Sequence, residues 1–347
     1  MKRYIPLLAL LLASLLYPQS KMDINNLIDR GGLLYAPNND KPYSGSVFDF
    51  HENGHKKLDG RFRSGIRIGE WTWWNEDGGL DSTGSYKKGL MHGQWEFYFS
   101  NGNLQGKGQY RDGNGTERGE TGISQNGRHG KWTFWYESGF KSAEQNWKNG
   151  KVHGLYIEWN ENGQKISESN SKNGFLEGIW TDWYDNGQIR KLNYWKDGKQ
   201  INTEELWYSN GNKDWKTYFN DDGTRDSTKL TTQWYENEQK WGEGYVKTIN
   251  DSTHVWNGLY NAWYENGQKW SEGTFKDGKL DGLWTTWYEN GQKSEEGNYK
   301  DGERDGLMTL WYENGQKKWE GTSEEFEAEK ADKEKKIKKA LLKKIGG

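Results

Sequence analysis

The sequence predicts an all-β protein: an elongated, single-layer antiparallel sheet of tandem β-hairpins about 24 residues long, followed by a short charged C-terminal helix. Three observations carry this. An aromatic–Asn-Gly–polar signature recurs eleven times between Asn53 and Gly315, with Trp-Tyr-Glu-Asn-Gly-Gln-Lys repeated from Trp263, Trp287 and Trp311. Only 31% of residues are hydrophobic, against 46 Gly and 22 Trp, so the apolar payload is aromatic and spread along the chain. The last 24 residues lack these turns and place their acids before their lysines, the order that complements a helix dipole.

Each element follows in order. Lys2-Arg3 and the apolar run 5–16 read as a signal peptide over residues 1–20, too short to span a bilayer comfortably. This makes export the expected localisation: periplasm, cell envelope or medium. With no Cys, no disulfide would staple the mature chain. Residues 21–44 form a lead-in, 45–322 the repeat array and 323–347 the tail. The chain carries a net charge of −3. Residues 1–20 and 324–347 carry +2 each, which leaves −7 for the body and argues against nucleic acid as a partner.

Asn-Gly flanked by aromatic and β-branched residues signals a hairpin, and a two-residue type I′ turn is expected there. A second turn follows about 11 residues on, as at Asn149-Gly150, Asn173-Gly174, Asp197-Gly198, Asp277-Gly278 and Asp301-Gly302. Centring a hairpin on Asn290-Gly291 sets Tyr288 opposite Lys293, Trp284 opposite Gly297 and Gly282 opposite Tyr299. The same rule pairs Gly45 with Phe62, Gly69 with Tyr86, Gly93 with Tyr110, Gly130 with Trp147, Gly178 with Trp195 and Gly258 with Phe275. Because 24 is even, equivalent residues keep one face. One ring ladder then runs through Trp71, Trp95, Trp132, Tyr156, Trp180, Tyr260 and Trp284. A second, on the opposite face, runs from Trp74 to Trp311.

Insertions fall at 112–126 and near 224–232 and 246–255, and loops on one edge are expected there. In the tail, Ile337, Leu341 and Ile345 share one helical side, so the helix is either a charged surface element or a basic amphipathic contact to a membrane or partner. His92, His129 and His153 precede a Gly at one repeat slot and read as turn residues rather than metal ligands. Neither a phosphate-binding loop nor a nucleophile elbow is present, and no cofactor, metal or catalytic group is expected.

The stretch Glu272-Gly273-Thr274-Phe275-Lys276-Asp277-Gly278-Lys279-Leu280-Asp281-Gly282-Leu283-Trp284 resembles the MORN repeat in its bacterial variant form. The opening, Asp29-Arg30-Gly31-Gly32-Leu33-Leu34-Tyr35 with Lys41-Pro42-Tyr43-Ser44-Gly45, is similar to that of the YwqK-type toxin–antitoxin antitoxin family. The resemblance implies a hairpin array acting as a binding scaffold for protein, lipid or membrane, and, in the antitoxin case, neutralisation of a toxin by contact. It supplies no catalytic residues. The export signal departs from a cytoplasmic antitoxin and fits an immunity or surface-assembly role. The expected function is non-enzymatic protein binding. The alternative is glycan or lipid binding through an aromatic face, for which Trp71, Trp95, Trp132, Trp180 and Trp284 are the candidates.

Overall fold

The computed structural model describes residues 21–118, 121–250 and 253–345; the signal-peptide reading lies outside them. The chain forms two compact units, residues up to Lys165 with Ser171–Gly174, and Ile166–Asn170 with Phe175 onward. In the first, from Gly45–Phe50 to Lys151–Trp159, each strand pairs antiparallel with the next. The second repeats this from Gly178–Trp183 to Lys317–Thr322.

All seven glycine–aromatic pairs stand as expected, from Gly45 opposite Phe62 to Gly282 opposite Tyr299. The turn that sets them is different. Gly291 N–H donates to Tyr288 O (2.9 Å) and Tyr288 N–H to Gln292 O (2.8 Å), which closes a three-residue loop, Glu289-Asn290-Gly291. Gly291 has φ +80° and Asn290 is not left-handed, so this is a type I turn with a glycine bulge, not type I′. Tyr288 therefore does not face Lys293; Trp287 does. An extra residue at Ser294, between the pairs Trp287–Lys293 and Thr286–Glu295, restores the register beyond it. Asn290 explains the choice. Its Oδ1 accepts from Gln292 N (2.9 Å) and its Nδ2 donates to Glu313 O in the next repeat (2.7 Å). Type I′ geometry occurs at the second turn instead, where Asp301 and Gly302 have φ +50° and +91° and Lys300 pairs with Glu303.

Both ends are covered. In the lead-in, Met22–Asp23 lies parallel on the first array strand, and Ile24, Leu27, Leu34 and Tyr43 pack on Val47, Leu58, Phe62 and Trp71. The helix Ser323–Ile345 starts from a capping box: Glu325 N–H donates to Thr322 Oγ1 (3.3 Å) while the Glu325 carboxylate accepts from Thr322 N–H (2.8 Å). Phe326 then meets the Trp319 ring edge-on at 5.1 Å. Ile337 and Leu341 are exposed, and the Ile345 side chain is outside the described residues. Among the described residues no helix is long and apolar enough to cross a membrane.

The insertion between Leu104–Gly113 and Arg128–Trp135 does not leave by an edge. It folds back over the ring-bearing face, burying Ile123 against Trp132 and Phe134. The excess near 246–255 is a lengthened hairpin, Lys240–Asn250 with Thr253–Trp263.

Candidate functional site

Glycine and tryptophan alternate along the first unit. Trp71 pairs with Gly84, Gly84 with Trp95, and Trp95 with Gly108. The Trp95 indole rests on Gly84 so closely that a Cβ there would fall inside the ring, and Trp132 sits likewise on Gly108. The indole N–H groups of these two reach the carbonyl after their glycine, Trp95 to Ser85 (3.1 Å) and Trp132 to Gln109 (3.0 Å). Residues two further on complete the stack. Trp71, Trp73, Trp95 and Phe97 follow at centroid spacings of 5.6, 5.8 and 5.8 Å with planes within 27° of parallel, and Trp132 and Phe134 add another pair at 5.9 Å. The rings opposite the glycines enter edge-on: Tyr86 meets Trp95 at 85° and Tyr110 meets it at 90°.

This stack uses up the expected binding residues. Trp71, Trp95 and Trp132 are 0, 2 and 0% exposed and cannot be reached by a ligand. The other two lie in the second unit and are half-buried. There Trp180 N–H donates to Asp182 Oδ1 (2.7 Å), and Trp284 stacks on Tyr260 at 6.3 Å and 12°. Between them the slot is polar. Asn193 pairs with Trp180, Glu204 with Asn193, and Thr217 with Glu204. Arg225 comes in from the excess near 224–232, covers the Phe219 ring at 4.3 Å and stands 3.6 Å from Glu204. The second ladder also differs from expectation, because lysines space its indoles. Lys293, opposite Trp287, sets its ammonium 5.7 Å over Trp311, and Lys269 does the same to Trp287 at 5.6 Å.

A ladder the sequence did not reveal ties the turns together. The hydroxyls of Tyr184, Tyr208, Tyr235, Tyr264 and Tyr288 donate to the Trp carbonyls of the following repeat, Trp207, Trp234, Trp263, Trp287 and Trp311, at 2.7–3.0 Å. The turn asparagines do the same toward Glu carbonyls. In the first repeat His51 Nε2 takes the tyrosine's place on Trp74 O at 2.9 Å. His153 Nδ1 accepts from Asn173 N (3.3 Å), so this histidine serves a turn.

Under the first insertion lies a cleft of about 430 Å³, within the range of small-molecule sites. Its apolar wall includes Trp73 and Phe97, the half-buried members of the stack, and Met91. Arg128 holds the covering segment in place. It is 2% exposed, donates from Nε to Ser124 O (2.9 Å) and from Nη2 to Ile123 O (3.0 Å), and lies within 5.0 Å of the centroids of Trp132, Phe134 and Trp147. Burial draws its pKa down. The Tyr110 hydroxyl also donates to Ser124 O (2.5 Å), and burial pushes the phenol up to about 12, partly opposed by Arg128. Arg128 escaped the sequence reading, and its repeat slot gives the reason: two residues before the hairpin glycine stand Met91, Val152, Leu176, Trp256 and Leu280 but also Arg67 and Arg304, so an arginine there is not singled out.

Fold and surfaces together define a repeat array held by stacked rings and turn-to-turn bonds. The MORN repeat variant model matches residues 67–88, 91–112, 128–151, 152–173, 176–197, 256–277 and 280–301. The chain thus carries seven MORN repeat variants, a non-catalytic type of repeat. No curated protein matches it. Among solved structures it is similar to chains in "Crystal Structure of TcdB2-TccC3-Cdc42" (8% identity, TM-score 0.18) and "Crystal Structure of TcdB2-TccC3" (11%, 0.18). Each match covers 84% of this chain but only 16% and 17% of the other. Likeness at that level carries no argument about fold or function.

Proposed function

We propose that the chain is an exported, non-enzymatic scaffold that binds a protein partner through an aliphatic column on the second unit. One observation carries this. Ile179, Leu259, Leu283 and Leu307 occupy one repeat slot, on the side of their strands opposite the core rings, and are 49, 57, 54 and 63% exposed. In the first unit the slot holds Ser46, Glu70, Gln94 and Lys131 before Leu155, 36% exposed, so polar side chains lead there and the aliphatics gather toward the second unit. Leucines in successive hairpins recur about every 10 Å, a spacing an extended apolar strip can match.

The same face carries lysine–glutamate pairs, Lys269–Glu272, Lys293–Glu296 and Lys317–Glu320. These cancel in sign and offer no cationic field to an anionic bilayer, which favours protein over lipid. The export half of the reading rests on Lys2-Arg3 and the apolar run 5–16. An antitoxin- or immunity-like role is the case in which the partner is a toxin.

The test is a Leu259→Ser, Leu283→Ser, Leu307→Ser chain, whose exposed changes leave the fold intact. A defined protein retained from envelope extract by the wild type and lost by the variant supports the proposal. Equal retention by both, or retention of wild type on liposomes alone, overturns it. Recovery of the chain in the cytoplasmic fraction overturns the export half.

A further inference from the structure

We propose that the cleft under the first insertion is a binding site for an acidic saccharide, a sugar ring carrying a carboxylate, as in a uronic-acid oligomer. The argument starts from charge. Arg67 and Arg118 both line the cleft, and neither has a carboxylate within ion-pair distance among the described residues. Arg67 is held in place by rings instead, 4.8 Å over Trp71 and 5.5 Å over Tyr86. A guanidinium fixed on an aromatic surface with its N–H fork unspent is prepared for a planar oxyanion. With Arg67 on its rings and the exposed Arg118 on the covering segment, two guanidiniums face one cleft, a local excess of positive charge in a chain of net charge −3.

The remaining lining narrows the class. Trp73 and Phe97 give an apolar wall against which the C–H face of a pyranose can lie. Asp81, on the same cleft, accepts from Ser82 Oγ (2.9 Å) and keeps a second oxygen open. Toward an aromatic carboxylate, Asp81 would only repel. Toward a hydroxylated ring it accepts hydrogen bonds, so the lining asks for hydroxyls and a carboxylate on one ligand. Gln105, whose Nε2 donates to Thr121 O (3.2 Å), ties the insertion to the strand below and keeps the wall in position. The whole cleft lies within the first unit and is independent of the aliphatic column.

The experiment is calorimetric titration of the full chain with trigalacturonate and, in parallel, with the neutral maltotriose, followed also by Trp fluorescence. The acidic trimer is expected to bind and to perturb the indole signal, with affinity falling as salt rises, and the neutral one to bind at least tenfold more weakly. Arg118→Gln and Arg67→Gln should each lower affinity for the acidic trimer about tenfold, while the triple leucine-to-serine variant should bind it as wild type does. Should Arg67→Gln disturb the ring packing, circular dichroism will show it, and Arg118, on the exposed segment, still decides the matter. No heat with trigalacturonate at millimolar concentration, equal affinity for the neutral sugar, or an Arg118→Gln chain that binds unchanged would each overturn the proposal.

Discussion

Two glycines in adjacent strands of the first unit serve different ends, and substituting them separates the reasons. Gly84 lies under the Trp95 indole, and a methyl group there would overlap the ring. Gly69 has open space around its missing Cβ but φ +62°. Gly84→Ala should therefore cost about 1–3 kcal/mol by overpacking. Gly69→Ala should cost about 1–2 kcal/mol through left-handed strain. The magnitudes overlap, so the distinction lies in rescue. Trp95→Leu alone costs several kcal/mol, on the order of 3–5 for truncating a buried ring. Combined with Gly84→Ala, it should cost less than the two single changes added, by about 1–3 kcal/mol of coupling. Combined with Gly69→Ala it should show no comparable coupling. Asn at position 69, which tolerates the left-handed region, should recover most of the loss, whereas Asn at 84 should not. Urea unfolding followed by Trp fluorescence, with slopes compared to confirm one cooperative transition, gives each value. Additive costs for the 84/95 pair would refute the claim that the ring seats on that glycine.

Other outcomes follow from single contacts. Arg128→Gln should release the insertion, raising amide exchange at 121–124 by the worth of a charged hydrogen bond, about 1.5–3 kcal/mol, while the turn ladder keeps its protection. Tyr110 is held protonated in the fold, with its pKa raised to about 12. Its contribution is complete below the unfolded pKa of about 10 and disappears as pH climbs through the folded value. Between those limits wild type should lose more stability than Tyr110→Phe, as read by urea midpoints at pH 8 and 11. Thr322→Ala breaks the capping box and should cost the helix about 1 kcal/mol, visible as lost ellipticity at 222 nm. Glu238 takes the position that glycine fills in the other turns, at φ +68°, so Glu238→Gly should raise the urea midpoint by the equivalent of about 1 kcal/mol.

The hairpin pairing was legible because it depends only on the turn's centre and on an even repeat. Gly282 finds Tyr299 whether the loop has two residues or three, once Ser294 absorbs the difference. The loop type was not legible. Asn-Gly suits both geometries, and the deciding bond runs from Asn290 to Glu313, 23 residues away. The ring ladder could be read through Trp71, Trp95 and Trp132, but not the rings interleaved with them. Trp73 and Phe97 stand where the C-terminal repeats carry Thr286, so a template drawn from the cleanest repeats hid them. Burial then inverted the candidate site: the strictest tryptophans, Trp71, Trp95 and Trp132, are the least accessible. The insertion's path depended on Arg128, whose charge reads as surface until its rings and carbonyls are assembled around it.

The forward bonds of the turns give the array a grammar with a direction. Tyr288 and Asn290 reach Trp311 and Glu313, but after Tyr312 and Asn314 comes the helix instead of another hairpin; Asn314 turns back on Gln316, and the Tyr312 ring is half uncovered. Splicing in one more whole unit ahead of the helix would give Tyr312 and Asn314 the forward acceptors their predecessors use and hand the same vacancy to the newcomer. Every intermediate length thus ends on an identical unfinished sentence, and such a protein can lengthen or shorten by full units without its stop signal changing.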